Sequence, residues 1–143
     1  MTPRRRTRTA PPPALGGLTL DAGALIALER RVRGVTILVR DALMTGEVRV
    51  PLGALGQVWR DGSSQAVLAA LLRHPGSRTV PIDETTAKAA GVLCGRTGTK
   101  DVVDASVAIC ALLHGDRILT SDPGDLTRLA PGVRVVDVST LGS

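Results

Sequence analysis

The chain has 143 residues and almost no aromatic side chains, with no Phe, no Tyr and a single Trp. Hydrophobic residues nevertheless make up 43% of the sequence, which is enough for a sizeable core. That core has to be built from Leu, Val, Ile and Ala, as in the aliphatic interior of a parallel sheet that helices cover on both faces. The length suits one domain.

Long apolar runs are also missing. No stretch approaches the roughly 18 consecutive apolar residues of a transmembrane helix. The arginine-rich start of the chain leads into Pro11-Pro12-Pro13 and not into an apolar segment, so we expect neither a secretory nor a twin-arginine signal. We therefore expect a cytoplasmic protein that has no membrane partner.

Cysteine and histidine are scarce. Cys94 and Cys110 lack the spacing of metal ligands, and the sequence predicts that they are buried thiols in a reducing cytoplasm. His74 and His114 fall at predicted helix ends, where they would cap the helix or face solvent. No Gly-x-Ser-x-Gly motif or Cys/His pair indicates a nucleophilic enzyme.

The positive charge is concentrated at one end of the chain. The formal net charge is +5, and four arginines between positions 4 and 8 contribute +4 of it. We expect residues 1–16 to form a disordered basic tail and residues 17–143 to form one folded domain. A basic arm can also add sequence-independent attraction to the phosphates of a nucleic acid.

Short apolar runs alternate with helical patterns along the chain, which predicts a parallel sheet with helices on both faces. Strands are expected at 17–21, 47–50, 78–82, 117–120 and 133–138. Helices are expected at 22–30, 35–45, 52–60, 65–73, 83–93, 101–114 and 123–129. Residues 95–99 are expected to form a polar loop, and Ser63 or Ser64 to cap the fourth helix.

Three aspartates stand where a predicted strand ends or a helix begins: Asp21, Asp104 and Asp122. Ligands of open parallel sheets bind outside the carboxyl ends of the strands. Clustered carboxylates repel one another unless a cation compensates them, and Mg²⁺ or Mn²⁺ prefers oxygen ligands. We therefore predict that these three acids bind a divalent metal, which can activate water and stabilise charge on a phosphodiester.

Each acid also has a purely structural interpretation. Asp21 and Asp101 can each cap the helix that follows. Asp122 can be a cap or a turn residue before a proline. Asp125 is expected to be a solvated helix acid. Only the joint placement of the acids at strand ends and helix starts favours a metal site.

Four segments, taken in order, resemble the PIN domain family, and particularly the VapC-type toxins. They are Asp21–Leu28, Val50–Pro51, Asp101–Ala108 and Leu119–Leu126, and the likeness spans about residues 17–138. The resemblance implies an α/β fold, a three-layer α/β/α sandwich with a five-stranded parallel sheet. It also implies an endoribonuclease that depends on Mg²⁺ or Mn²⁺, with RNA as substrate and a cognate antitoxin as partner.

The resemblance also assigns roles to individual residues. Asp21, Asp104 and Asp122 correspond to the first, third and fourth acids of the family, and Thr120 or Ser121 to the hydroxyl that often supports the fourth. A homodimer is a further expectation. Apolar positions of the first two helices are candidates for partner contact, although they can equally be core: Leu25, Leu28, Leu38 and Leu43.

The position of the second acid departs from the family pattern. The usual Pro-x-x-x-x-x-Glu is here Pro51 followed by Gln57. A Gln carbonyl can still face the metal or one of its waters, but it brings no charge, so metal affinity should fall. Asp101, one helical turn from Asp104, can partly compensate, and we include Gln57 and Asp101 among the predicted catalytic residues.

Two other functions stay open at this point. The first is a PIN-like module that binds RNA or protein with feeble or no catalysis, which Gln57 favours. The second is another small doubly wound protein such as a receiver domain. The receiver fits poorly, because Asp21 has no acidic neighbour before Glu29 and the third predicted strand contains no Asp. Trp59 is interpreted as packing in the core or an interface more readily than as a platform for a base.

Overall fold

The computed structural model describes residues 16–142, so almost all of the basic tail predicted at residues 1–16 lies outside the described residues. Within them, five strands alternate with seven helices. The strands are β1 Leu18–Leu20, β2 Val48–Pro51, β3 Ser77–Val80, β4 Arg117–Thr120 and β5 Val135–Asp137. The helices are α1 Ala22–Glu29, α2 Arg33–Thr45, α3 Leu52–Val58, α4 Ala66–Arg73, α5 Glu84–Thr97, α6 Val102–His114 and α7 Pro123–Leu129, and a 3-10 turn follows at Val138–Thr140.

The five strands form one sheet in the order β3-β2-β1-β4-β5, with every neighbouring pair parallel. The predicted α/β/α sandwich with a five-stranded parallel sheet is therefore confirmed. Strand β1 lies at the centre, and its residue Leu20 is in register with Leu119 of β4. This register brings the residues that follow the two strands to the same edge of the sheet.

The core is aliphatic, as the composition predicts. The central strands are buried on both faces and are therefore apolar almost throughout. The apolar residues of the first helices also belong to this core: Leu25 and Leu28 are buried, and Leu38 and Leu43 are partly buried and pack against it. Cys94 and Cys110 are buried free thiols, as expected.

The predicted polar loop at 95–99 is wrong, because α5 continues to Thr97. Gly95 does not break the helix, and the helix ends instead at Gly98. That residue adopts a left-handed conformation with φ of 75°, and its N–H donates to the Cys94 carbonyl. A glycine at this position is the usual way to end a helix, since it has no Cβ to strain.

The cap predicted for α4 is also wrong. Neither Ser63 nor Ser64 caps the helix; the N-cap residue is Gln65, whose side chain makes no capping bond. Its buried amide instead organises the α3–α4 connection. The side-chain oxygen accepts from the backbone N–H groups of Arg60 and Asp61 at 2.7 and 2.9 Å, and the side-chain nitrogen donates to a carbonyl of α3 at 3.0 Å.

Among the described residues, no helix combines the length and apolarity that crossing a membrane would require.

Candidate metal centre

Asp21 lies where β1 ends and α1 begins, and its side chain is buried. One carboxylate oxygen accepts from the Ala24 N–H at 2.9 Å, which is the N-cap bond of α1. The other accepts from the Thr120 hydroxyl. Burial raises the pKa of Asp21, although these two hydrogen bonds work in the opposite direction. The two structural interpretations of Asp21, cap and site residue, are therefore compatible.

Thr120 connects two of the predicted site residues. Its hydroxyl donates to Asp21 and accepts from the Asp122 N–H at 2.8 Å. The residue is fully buried at the end of β4. Of the two hydroxyls considered from the sequence, it is thus Thr120 that contacts the acids, while Ser121 is exposed. A single side chain fixes the end of β1 relative to the turn that leads into α7.

The same turn approaches α1 too closely for a side chain at Gly23. A Cβ there would lie 1.8 Å from the Ser121 Oγ and 2.6 Å from its Cβ. Glycine is therefore required for close approach. The tight contact holds the first turn of α1, which follows Asp21, against the turn that contains Asp122.

Asp101 and Asp104 occupy the start of α6. Asp101 is the N-cap residue, and one of its carboxylate oxygens accepts from the Asp104 N–H at 2.9 Å. Asp104 lies in the first turn and is partly buried. Burial, followed by the negative charges of Asp101, Asp21 and Asp122, raises the pKa of Asp104 to about 7. The carboxylates that the sequence predicts to cluster are thus close enough to repel one another.

The tightest group of acids contains a residue that sequence reasoning missed. Asp104, Asp122 and Asp125 each offer a carboxylate oxygen, and these three atoms lie within 4.8 Å of one another. The neighbouring carboxyl group of Asp125 raises the pKa of Asp122. Asp125 is also paired with Arg128, at 3.0 Å. It lies on α7 with its side chain 45% exposed, so it is the solvated helix acid that the sequence predicts and it also belongs to this group. The three-residue spacing of Asp122 and Asp125 was the available signal.

The donor set fits a hard divalent cation. Three carboxylate oxygens converge, and a fourth carboxylate, that of Asp21, lies within electrostatic range of Asp104. Mg²⁺ and Mn²⁺ take oxygen ligands and are commonly held by one or two carboxylates, several waters and a substrate phosphate. A cation at this position would also relieve the repulsion that raises the pKa of Asp104.

Comparison with protein families agrees with this fold. The family model described as PIN domain matches residues 18–130, which is most of the chain. The chain belongs to the PIN domain family. Proteins of this family are generally nucleases and typically use a divalent metal. Comparison with curated protein sequences gives no match.

Solved structures with the same fold come from toxin–antitoxin systems. VapBC2 from Rickettsia felis, bound to a DNA fragment from its promoter, is 11% identical with a TM-score of 0.65, and the match covers 84% of this chain and 97% of that one. FitAcB from Neisseria gonorrhoeae is 20% identical with a TM-score of 0.60, covering 87% and 99%. A toxin–antitoxin complex from Klebsiella pneumoniae is 17% identical with a TM-score of 0.65, covering 85% and 98%. At these identities the likeness shows a shared PIN fold.

Gln57, the unusual residue of this PIN domain, lies on α3, which packs against both α1 and α6. These are the helices that follow Asp21 and carry Asp104. Gln57 is exposed, and within residues 16–142 its side chain makes no hydrogen bond, while its backbone carbonyl accepts one from the Arg60 side chain at 3.1 Å. Its amide is therefore on the appropriate helix, but it adds no charge to the site.

Proposed function

We propose that this PIN domain is a divalent-metal-dependent endoribonuclease that hydrolyses RNA phosphodiesters. The proposal rests on one observation above all. Three carboxylate oxygens, from Asp104, Asp122 and Asp125, lie within 4.8 Å of one another at the edge of the sheet where ligands bind. Such a concentration of negative charge is unfavourable in itself and becomes favourable when a cation is bound.

The residues that would hold Mg²⁺ or Mn²⁺ are Asp104 and Asp122, with Asp125 and Asp21 completing the negative charge. When bound, the ion supplies Lewis-acid stabilisation of the phosphodiester and lowers the pKa of an attacking water. The chain's own contribution is rigidity. Asp21 is fixed by two hydrogen bonds, and Thr120 orients both Asp21 and the backbone of Asp122.

A cleavage assay tests this proposal. Purified protein with Mn²⁺ should cleave structured RNA, and EDTA should abolish the cleavage. Asp104→Asn should lower the rate by about a thousandfold, because it removes a ligand charge from the centre of the group. The matched control is Asp41→Asn, which makes the same change at an exposed position on α2 and should leave the rate unchanged. Cleavage that survives both EDTA and Asp104→Asn contradicts the proposal.

A second candidate function follows from the neutral amide at Gln57. With one fewer negative charge than the usual PIN site, the protein would bind RNA or protein with feeble catalysis. Gln57→Glu distinguishes the two functions in the same assay. If the wild type is inactive and Gln57→Glu creates activity, the binding module is correct. If the wild type cleaves RNA and Gln57→Glu changes the rate only severalfold, the nuclease is correct.

We further propose that the protein is the toxin of a type II toxin–antitoxin pair, acting in the cytoplasm where its RNA substrate is found. The solved structures of the same fold are toxin–antitoxin complexes. A groove of about 310 Å³ lies between α2 and α4, with Val39, Leu43 and Leu71 in its lining. It suits the apolar face of a partner helix.

The charge beside this groove favours an acidic partner segment. Arg31, Arg33 and Arg40 line the adjoining cavity, so acidic residues on the partner helix would be paired. Met44→Glu, at a residue whose exposed fraction is 78%, should prevent co-purification with the product of the adjoining gene. Leu113→Glu, at an equally exposed residue of α6, is the control. Equal retention by both variants would exclude this groove.

The predicted homodimer stays a proposal. The structure indicates contact residues that differ in part from those proposed from the sequence. Leu25 and Leu28 are part of the core and do not offer a free surface. Exposed apolar side chains lie instead on other helices and connections: Leu52, Ile82, Val92, Val102, Leu112 and Leu113. Light scattering at several protein concentrations tests the oligomeric state directly.

A further inference from the structure

One basic side chain directly contacts the acidic group. Arg128, on the last turn of α7, donates from Nη2 to Asp125 at 3.0 Å, and its charge lowers the pKa of the nearby Asp122. Within residues 16–142, this is the ion pair that the group forms. A fixed cation beside metal ligands competes with the metal for their negative charge.

The Arg128 side chain is mostly free to make other contacts. Its exposed fraction is 61%, whereas Asp125 is more enclosed at 45%. A guanidinium has five N–H donors in a planar fork, and only one interaction with Asp125 is used here. The same geometry matches the non-bridging oxygens of a phosphate, which the fork can contact in a bidentate manner.

The position of Arg128 also fits a bound nucleic acid strand. A small hollow of about 10 Å³ lies between the α5–α6 connection and α7, and its lining includes Asp104, Asp125 and Arg128. It is too small for a nucleotide, so a strand that contacts Arg128 would lie across its mouth. Four carboxylates in and beside it bring four negative charges, and one divalent ion compensates two. A phosphodiester strand that lies across this hollow adds further negative charge, so binding requires a second source of positive charge at the same place.

We propose that Arg128 is the residue that binds a phosphate of the RNA strand beside the metal centre, and that its pairing with Asp125 holds the guanidinium there before RNA arrives. The inference rests on the proposed ribonuclease function for the identity of the strand. The proposed role adds a specific protein–RNA contact. It also explains why a guanidinium group lies next to acids that are proposed to bind a metal ion.

The test measures equilibrium binding and does not require cleavage. A fluorescent 12-nucleotide single-stranded RNA is titrated with protein in Ca²⁺, across a range of KCl concentrations. Each phosphate contact to a single strand contributes about 0.7 to the slope of log affinity against log salt. Arg128→Ala should therefore reduce the slope by about 0.7, and weaken binding about fivefold at 0.1 M salt. Arg128→Lys should restore the slope.

Two further measurements separate this role from damage to the site. Arg128→Ala should tighten Mn²⁺ binding, since it removes a competing cation, while it weakens RNA binding. A variant that is merely misfolded would lose both. Arg134→Ala removes the same charge from the opposite edge of the sheet, just before β5, and should leave both affinities unchanged.

The outcomes that overturn the proposal are distinct from a failure of the proposed function. An unchanged salt slope, an equal effect of Arg134→Ala, or no RNA binding by the wild type would each refute a phosphate contact by Arg128. A loss of affinity in Arg128→Ala that is the same at every salt concentration would indicate a contact with an uncharged group of the RNA, which also refutes it. Failure of cleavage in Mn²⁺ together with the expected slope change would refute only the nuclease.

Discussion

Acidic residues at the two edges of the sheet have opposite surroundings. At the amino edge, Asp116 precedes β4 with its side chain fully buried, and Arg49 donates to it at 2.7 Å. The Thr19 hydroxyl donates to it at 2.8 Å. Glu47 extends the network by pairing with Arg49 at 2.5 Å and Arg78 at 3.2 Å. Here the buried carboxylate of Asp116 is compensated by a cation within the chain.

At the carboxyl edge the acids outnumber the cations. Asp21 is buried with hydrogen bonds alone, and Asp104 is surrounded by other carboxylates, with the result that the pKa of each is raised. Arg128 compensates only Asp125. The presence or absence of a cation partner therefore distinguishes two roles for acidic residues in this fold. An acid with a largely buried cation partner connects neighbouring strands, whereas the acids that lack one are those that we propose bind a metal.

The largest expected effect comes from breaking the compensated edge. Asp116→Asn should lower the free energy of unfolding by about 3 kcal/mol, because it leaves the Arg49 guanidinium largely buried without its main partner. Asp104→Asn should do the reverse, and stabilise the metal-free protein above pH 7, since it removes a repelled charge. Urea unfolding of both variants at pH 8 measures the contrast.

The contrast can fail in two ways. If Asp116→Asn is neutral, the amino-edge network does not stabilise the fold. If Asp104→Asn destabilises the metal-free protein, repulsion at the carboxyl edge is already relieved within the chain. In either case the two edges would not differ as their geometry indicates.

The pH dependence of metal binding should be the next largest effect. The pKa of Asp104 is about 7 in the folded protein, compared with about 3.9 in an unfolded chain. Between these values the folded state binds more protons, so the stability of the metal-free protein falls as pH rises through that range. A metal must displace the proton, so its apparent affinity should rise about tenfold per pH unit up to pH 7 and then level off.

Calorimetric titration with Mn²⁺ between pH 5 and pH 8.5 measures this dependence, and the proton released should be visible as a buffer-dependent heat. Asp104→Asn should flatten the profile. A flat profile in the wild type would mean that Asp104 is not among the ligands.

Much of the carboxyl edge could be predicted from the sequence, because its information is local. Asp21, Asp104 and Asp122 each stand next to a readable strand end or helix start, and parallel strands bring such positions together. Thr120 could be predicted as a candidate for the same reason. The order of strands and helices followed from their alternation. The wrong predictions were the loop beginning at Gly95 and the helix cap at Ser63 or Ser64. A single glycine or serine is a weak signal of where a helix ends or begins.

The amino edge was not predictable in the same way. Asp116 lies in a turn after Gly115, where an acid is ordinary, and its partner Arg49 is 67 residues away. Nothing in either neighbourhood indicates a buried ion pair, which exists only because β1 lies between β2 and β4. The place of Asp125 in the acidic group was missed for a related reason. The sequence of α7 is typical of a short exposed helix, and Asp125 lies near Asp104 only because of the way the chain folds.

A smaller effect is expected from filling the contact between α1 and the turn after β4. Gly23→Ala places a Cβ 1.8 Å from the Ser121 Oγ, so the turn that contains Asp122 must shift. We expect a loss of about 1–3 kcal/mol in stability and about a tenfold loss in RNA cleavage. Ser121→Gly in the same chain removes the clashing atoms and should restore much of both. If the double variant is as impaired as Gly23→Ala, the clash is not the cause.

The smallest effects should come from the glycines that end α5 and α6, one leading to each edge of the sheet. Gly98 has a φ of 75° and Gly115 a φ of 67°, and a Cβ at either would meet no other atom within 4 Å. Alanine at either position should therefore cost only the left-handed conformation, about 1 kcal/mol. Gly98 precedes Asp101, the cap of the helix that holds Asp104, so Gly98→Ala should in addition weaken Mn²⁺ binding slightly. Gly115 precedes Asp116 at the other edge, so Gly115→Ala should lower the stability and leave Mn²⁺ binding unchanged. Equal metal affinities in the two variants would show that the metal centre tolerates movement in the α5–α6 connection.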